Sequence, residues 1–164
     1  LAAQARYWFE AAADRGHGKA AFNLGISAYE TQDREAAQLW LNRAADAGNL
    51  EAYAALTQIA DESGDAEAEL HWSRLGAEHG HPFCQMRYGQ LLMQRNEGDS
   101  AVIRTQCLPL FEQAAENGQA GALFLAGIAH CVLGDTGTGR LWLKRAEASG
   151  DSSATRVLRE YGLE

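Results

Sequence analysis

Only two prolines, Pro82 and Pro109, occur in these 164 residues, and valine and isoleucine together number seven. So little β-branched material makes a sheet hard to build. No apolar run approaches the ~20 residues that a membrane-spanning helix needs. Basic residues are scarce as well: 14 lysines and arginines stand against 22 aspartates and glutamates, for a net charge of −8. A field of that sign repels a phosphate backbone, so nucleic acid is not an expected ligand. The deficit is concentrated in residues 49–80, where seven acids (Glu51, Asp61, Glu62, Asp65, Glu67, Glu69 and Glu78) face Arg74 as the one base. Such a stretch either lies in water, as charge runs on helices do, or meets a basic partner. The three cysteines, Cys84, Cys107 and Cys131, are an odd number. Free thiols of this kind suit a reducing compartment.

What the chain does contain is a period. The four tryptophans share one phase: Trp8, Trp40 and Trp72 lie 32 residues apart, and Trp142 follows after 70, with Leu110 in the intermediate slot. A glycine stands eight residues after each of the five positions: Gly16, Gly48, Gly80, Gly118 and Gly150. Small residues fill the slot four after the tryptophan (Ala12, Ala44, Gly76, Ala114, Ala146) and the slot four after the glycine (Ala20, Ala52, Cys84, Ala122, Ala154). Four further on come Leu24, Leu56, Tyr88, Ala126 and Leu158, followed in three copies by Gly25, Gly89 and Gly127. Spacings of three and four mark one face of a helix, and a fixed period of this size marks an array of like units. The small residues allow close approach of helix backbones, with the indole expected to fill the space beside them.

Each period has room for two helices. Its mid-point carries a turn signal, Gln32-Asp33, Gly64-Asp65, Gly98-Asp99 or Gly134-Asp135. There the aspartate can cap the next helix and the residue before it can close the last one. The Gly16-type glycines suit helix C-termini, and Pro82 suits a first turn. The pattern predicts an all-α chain of about ten helices, roughly 11 to 18 residues each, with loops of about two to five residues that make neighbours antiparallel. No helix pair could bury its apolar face alone, so 1–164 is expected to be one continuous stack.

The unit thus reads W-x3-A-A-x2-G-x3-A-x3-L-G, most fully in Ala36–Gly48 and in Ala20–Gly25. It resembles the Sel-one-like repeat family, a relative of the tetratricopeptide repeat, over nearly the whole chain. The resemblance implies a right-handed α-solenoid of antiparallel helix pairs, here four full repeats plus a half repeat at each end, whose first-type helices line a concave face. It also implies an adaptor or scaffold for other proteins, often bacterial and in envelope or signalling assemblies, of cytoplasm or periplasm. Some secreted members tie each helix pair with a disulfide; the cysteine spacing here does not repeat, so that framework is absent. Two features depart from the pattern. Leu56-Thr57 and Leu158-Arg159 lack the glycine, where looser contacts are expected, and the fourth unit holds six extra residues between Gly89 and Leu110.

Positions two, six and nine after the small residue that opens each first-type helix are expected to face the groove: Phe22, Ile26 and Tyr29; Ala54, Gln58 and Asp61; Met86, Gln90 and Met93; Phe124, Ile128 and Cys131. If exposed together, the apolar ones form a patch of the kind that marks an interaction site, with methionine suited to an adaptable surface. The competing reading is that several pack on the adjacent repeat. The expected function is a non-catalytic module that holds a protein or peptide segment there. The alternatives are an architectural spacer in a larger assembly, or a carbohydrate or small-ligand groove.

Catalytic constellations are not apparent. His71, His79, His81 and Cys84 cluster in sequence but lack the second ligand pair a zinc site needs, and His17 and His130 read as incidental. Gly134–Gly139 is glycine-rich, yet no strand leads into it as a phosphate loop requires. No cofactor is implied. Pro109 sits one residue before Leu110, inside an expected second-type helix, and predicts a bent, lengthened fourth unit rather than a regular helix over 100–117. The opening at Leu1 on a half unit reads as a fragment of a longer chain, the polar final helix (Arg156, Arg159, Glu160) as a terminal cap, and Leu163-Glu164 as an added tail. Removing the Trp40 ring is expected to cost ~3–5 kcal/mol.

Overall fold

The computed structural model describes residues 3–163; Leu1, Ala2 and Glu164 lie outside the described residues, and so do the readings made of Leu1 and Glu164. Every regular element among the described residues is helical. They are α1 (Ala3–Asp14), α2 (Gly18–Glu30), α3 (Arg34–Asp46), α4 (Leu50–Ser63), α5 (Ala66–Glu78), α6 (Pro82–Arg95), α7 (Ser100–Val102), α8 (Leu108–Glu116), α9 (Ala122–Val132), α10 (Thr136–Ala148) and α11 (Ser152–Glu160). A π-helical turn, Ile103–Cys107, joins α7 to α8 without a break. Counting that run as one, ten helices are present. The chain divides into two compact units, Leu1–His81 and Pro82–Glu164.

The turn chemistry follows the repeat. At each mid-unit turn the aspartate Oδ1 accepts a backbone N–H of the helix it opens: Asp33 from Ala36 at 3.1 Å, Asp65 from Ala68 at 3.0 Å, Asp135 from Thr138 at 3.1 Å, and Asp99 from Ala101 and Val102 at 2.8 and 3.0 Å. The residue before it must turn left-handed to leave the previous helix. Glycine does so freely in three copies, whereas Gln32 is held there at φ +62°, a conformation that costs a side-chain-bearing residue roughly 1–2 kcal/mol.

Within each repeat the two helices meet at a keyed contact. A Cβ placed on Gly25 of α2 would lie 2.6 Å from Leu41 Cγ on α3; one on Gly89 of α6 would lie 2.6 Å from Phe111 Cε1 on α8; one on Gly127 of α9 would lie 2.8 Å from Leu143 Cγ on α10. The glycine is therefore a hole, and a large apolar side chain occupies it. Leu41, Phe111 and Leu143 are wholly buried, each gaining about 1.5–3 kcal/mol from removal of its surface from water. In the remaining repeat Thr57 stands in the glycine slot and Ser73 in the knob slot, and both are wholly buried. The larger residue in the glycine slot is thus paired in the repeat with a smaller one in the knob slot. Gly139 makes the closest backbone approach: a Cβ there would meet Cys131 Sγ, and would lie 2.8 Å from the Gly127 carbonyl oxygen.

This contact corrects the expectation for the tryptophans. The indoles are not the rings that fill the space between paired helices; the residue one position later does. Successive helical residues point about 100° apart, so with Leu41 aimed at the partner helix Trp40 is turned to the flank. Trp8 is 68% exposed, and Trp40, Trp72 and Trp142 are half-buried. Two of them carry a guanidinium on one face, Arg43 over Trp40 at 4.8 Å and Arg145 over Trp142 at 4.5 Å from the ring centres. Those cations shield an exposed aromatic face.

The fourth unit departs from a regular helix as Pro109 predicts. Seven residues separate the capping aspartate from the tryptophan slot in three copies, but eleven separate Asp99 from Leu110, and two more lie between Gly89 and Asp99. Four of the six extra residues thus lengthen the helix. Ile103, Cys107 and Phe111 are all buried to 1% or less. A spacing of four drifts by about 40° per step on a regular α-helix; the wider π turn takes up that drift and keeps all three on one face. Proline at 109 cannot donate to the Thr105 carbonyl, and its ring would crowd that oxygen. The π turn ends beside it, where the α pattern is already broken.

Candidate partner-binding surface

In the first unit, a cleft runs between α2 and α4. It is lined by Ile26 and Tyr29 on one side and Ala55, Gln58, Ile59 and Glu62 on the other, and encloses about 90 Å³. Three of the sequence-predicted residues, Ile26, Tyr29 and Gln58, come together here. The Tyr29 hydroxyl donates to the Glu62 carboxylate across the cleft. That hydrogen bond, with burial and the Glu62 charge, holds the phenol above its ordinary value, against a smaller opposite pull from Arg34. Phe22 is half-buried on α2, and Asp61 is exposed on α4 beside Glu62.

In the second unit most of the predicted residues lie against buried clusters. Met86 packs on Ala114, Ala115 and Ala122. Met93 packs on the cluster of Ile103, Cys107, Phe111, Ala126 and Ala129. Phe124, Ile128 and Cys131 pack on Leu143, Ala146, Ala154 and Leu158. Gln90 is half-buried on α6. Ile128 and Cys131 also line a cavity of about 440 Å³ with Val132, Thr136, Val157, Tyr161 and Leu163. Burial raises the Cys131 thiol above its ordinary value, and Asp135 adds to the effect.

The two openings use one register. The leading helix contributes positions six and nine after its small residue (Ile26 and Tyr29; Ile128 and Cys131), and the following first-type helix contributes positions three and seven (Ala55 and Ile59; Val157 and Tyr161). No family model matches the sequence, and no curated protein matches it. Among solved structures, the crystal structure of a Sel1 repeat protein from Oxalobacter formigenes matches 93% of this chain with a TM-score of 0.68, at 23% sequence identity. The chain has the Sel1 repeat fold. It spans 65% of the length of that protein.

The register of the two openings also shows which lining residues the sequence pattern did not single out. Ala55, Ile59 and Glu62 escaped because one set of positions was assigned to every first-type helix. A cleft between neighbours is lined by opposite flanks of the two helices. The signal was available in the paired sets six and nine, then three and seven. The histidines do other work. His71 meets Trp72 edge-on, His79 stacks on Tyr53 at 5.0 Å between ring centres, and His81 lies buried 3.4 Å from Glu51. His130 sits 2.9 Å from Glu112 and 3.7 Å from Asp135 and stacks on Trp142. Among the described residues no group of three or more histidine, cysteine or acidic side chains converges on a metal position. No helix among them is long and apolar enough to cross a membrane.

Proposed function

We propose that this chain is a non-catalytic protein-interaction module, and that its clefts between successive first-type helices receive side chains of a peptide or protein segment. The observation that carries this reading is the recurrence of one cleft register in both units, with apolar flanks (Ile26 and Ile59; Ile128 and Val157) left accessible. A repeat fold offers such flanks at regular intervals along an extended segment. Accessible apolar surface held in a fixed shape marks an interaction site. The size of the first cleft speaks against a small-ligand groove there, since small-molecule pockets enclose about 300–1,000 Å³.

The test is a random-sequence peptide array probed with the labelled protein and with a Phe22→Ser/Ile26→Ser variant. The wild type is expected to bind a related set of peptides, and the variant to lose that set while its helical circular dichroism is retained. Persistence of binding in the folded variant, or absence of any bound set, would overturn the reading; the second result would leave an architectural spacer.

A further inference from the structure

We infer that the α2–α4 cleft takes one aliphatic side chain from a lysine- or arginine-rich segment. This rests on the peptide-binding reading above and names the chemistry of the partner. The first argument is size. Ile26, Ala55 and Ile59 bound an opening of about 90 Å³, room for a single branched aliphatic group and not for an aromatic pair or a cofactor.

Charge supplies the second argument. The rim is formed by Tyr29, Gln58 and Glu62, and Glu30 and Asp61, both exposed, adjoin Tyr29 and Glu62 in the chain. Arg34, which shares a neighbouring depression with Tyr29 and Glu30, is the opposing charge. The asymmetry extends to the whole unit. Residues 1–81 carry six basic and thirteen acidic side chains, a net −7, whereas residues 82–164 carry eight and nine, a net −1. Most of the net charge of −8 thus belongs to the unit that holds this cleft, and little of it to the unit that holds the counterpart between α9 and α11. An incoming cation is steered by that field and meets carboxylates at the rim, and its aliphatic neighbour enters the apolar floor. Glu62 accepts from Tyr29, which directs its carboxylate across the cleft.

The experiment measures fluorescence anisotropy with four labelled nonapeptides: leucine at the centre of lysine/arginine flanks, serine in the same flanks, leucine in glycine/serine flanks, and leucine in glutamate flanks. The first is expected to bind about tenfold or more tighter than each of the others, with the preference eroding as salt rises from about 50 to 500 mM. Glu62→Gln keeps an acceptor for Tyr29 and removes the charge. It is expected to weaken the lysine/arginine–leucine peptide about threefold and to leave the glycine/serine–leucine peptide unchanged. Gln58→Arg alters an exposed side chain, so the fold is retained, and it is expected to weaken the first peptide about tenfold or more. Equal affinity for the leucine and serine peptides in basic flanks would overturn the inference, because the cleft would then not be the site. Equal affinity for basic and neutral leucine peptides, both sensitive to Ile26→Ser, would overturn the charge assignment and leave the peptide-binding reading standing. Failure of all four to bind, together with an empty peptide array, would overturn both.

Discussion

Adding one methyl group at Gly25 is expected to destabilise the protein in the presence of Leu41 and to stabilise it when Leu41 is cut back to alanine. The new Cβ would lie 2.6 Å from Leu41 Cγ, 2.8 Å from Cδ2 and 3.1 Å from the Leu41 backbone nitrogen. Carbon atoms rest at about 3.5–4.0 Å, so the helices or the leucine must give by about 1 Å. Overpacking of this kind costs ~1–3 kcal/mol. Alanine is a better helix former than glycine by ~1 kcal/mol, so Gly25→Ala should lower stability by a net ~0–2 kcal/mol. Leu41→Ala alone empties a fully buried site and should cost ~2–5 kcal/mol. In that background the methyl at position 25 meets no resistance and occupies part of the vacated volume, so it should return ~1 kcal/mol or more. The double-mutant cycle, read by urea denaturation, is expected to show a coupling of about 2 kcal/mol in favour of the double variant. Additivity within about 0.5 kcal/mol, or stabilisation by Gly25→Ala in both backgrounds, would refute the keyed contact.

Other outcomes follow from the same geometry. Trp40→Ala should cost less than the ~3–5 kcal/mol of a buried aromatic and less than Leu41→Ala, because its ring is half-buried; chemical denaturation of the two single variants ranks them. Hydrogen bonds from Thr138 hold Asp135 below its ordinary value of 3.8. Its contribution is therefore present above that value and lost as pH falls through the lowered one. Asp135→Asn keeps a capping oxygen and should flatten that part of the acid loss, seen in melting temperatures between about pH 5 and 2. The thiols should separate by burial. Cys84 and Cys107 are wholly buried, so a thiol reagent should reach Cys131 first and the other two only on unfolding; rapid native-state labelling of all three would contradict this.

The period, the aspartate caps, the left-handed glycines and the small-residue slots were legible in the sequence because each depends on one residue type at one phase. The proline signal in the fourth unit was legible for the same reason. The tryptophans misled because a repeated large ring marks a phase without saying which way the side chain points. A one-residue rotation put Leu41, Ser73, Phe111 and Leu143 in the interior. The candidate site was half legible. Ile26, Tyr29 and Gln58 converge, but Glu62 and Ile59 entered only when two helices were considered together, since a cleft is a property of a pair. The methionines at 86 and 93 carry the apolar signal of a binding surface, yet pack on buried clusters. Composition does not distinguish those two uses.

The knob and its hole always lie in the same repeat: Gly25 with Leu41, Gly89 with Phe111, Gly127 with Leu143, and the Thr57 and Ser73 slots likewise. Any exchange or duplication of segments must therefore carry both helices of a repeat together. A junction at 47–49 leaves every matched set intact. One at 31–33 would join α2 to a helix shaped for Thr57, giving Gly25 a serine and leaving a void. Bringing α3 behind α4 would drive a leucine against a threonine. The heritable unit of this protein is thus the helix pair cut at its Gly48-type loop, and recombination elsewhere is penalised by the core itself.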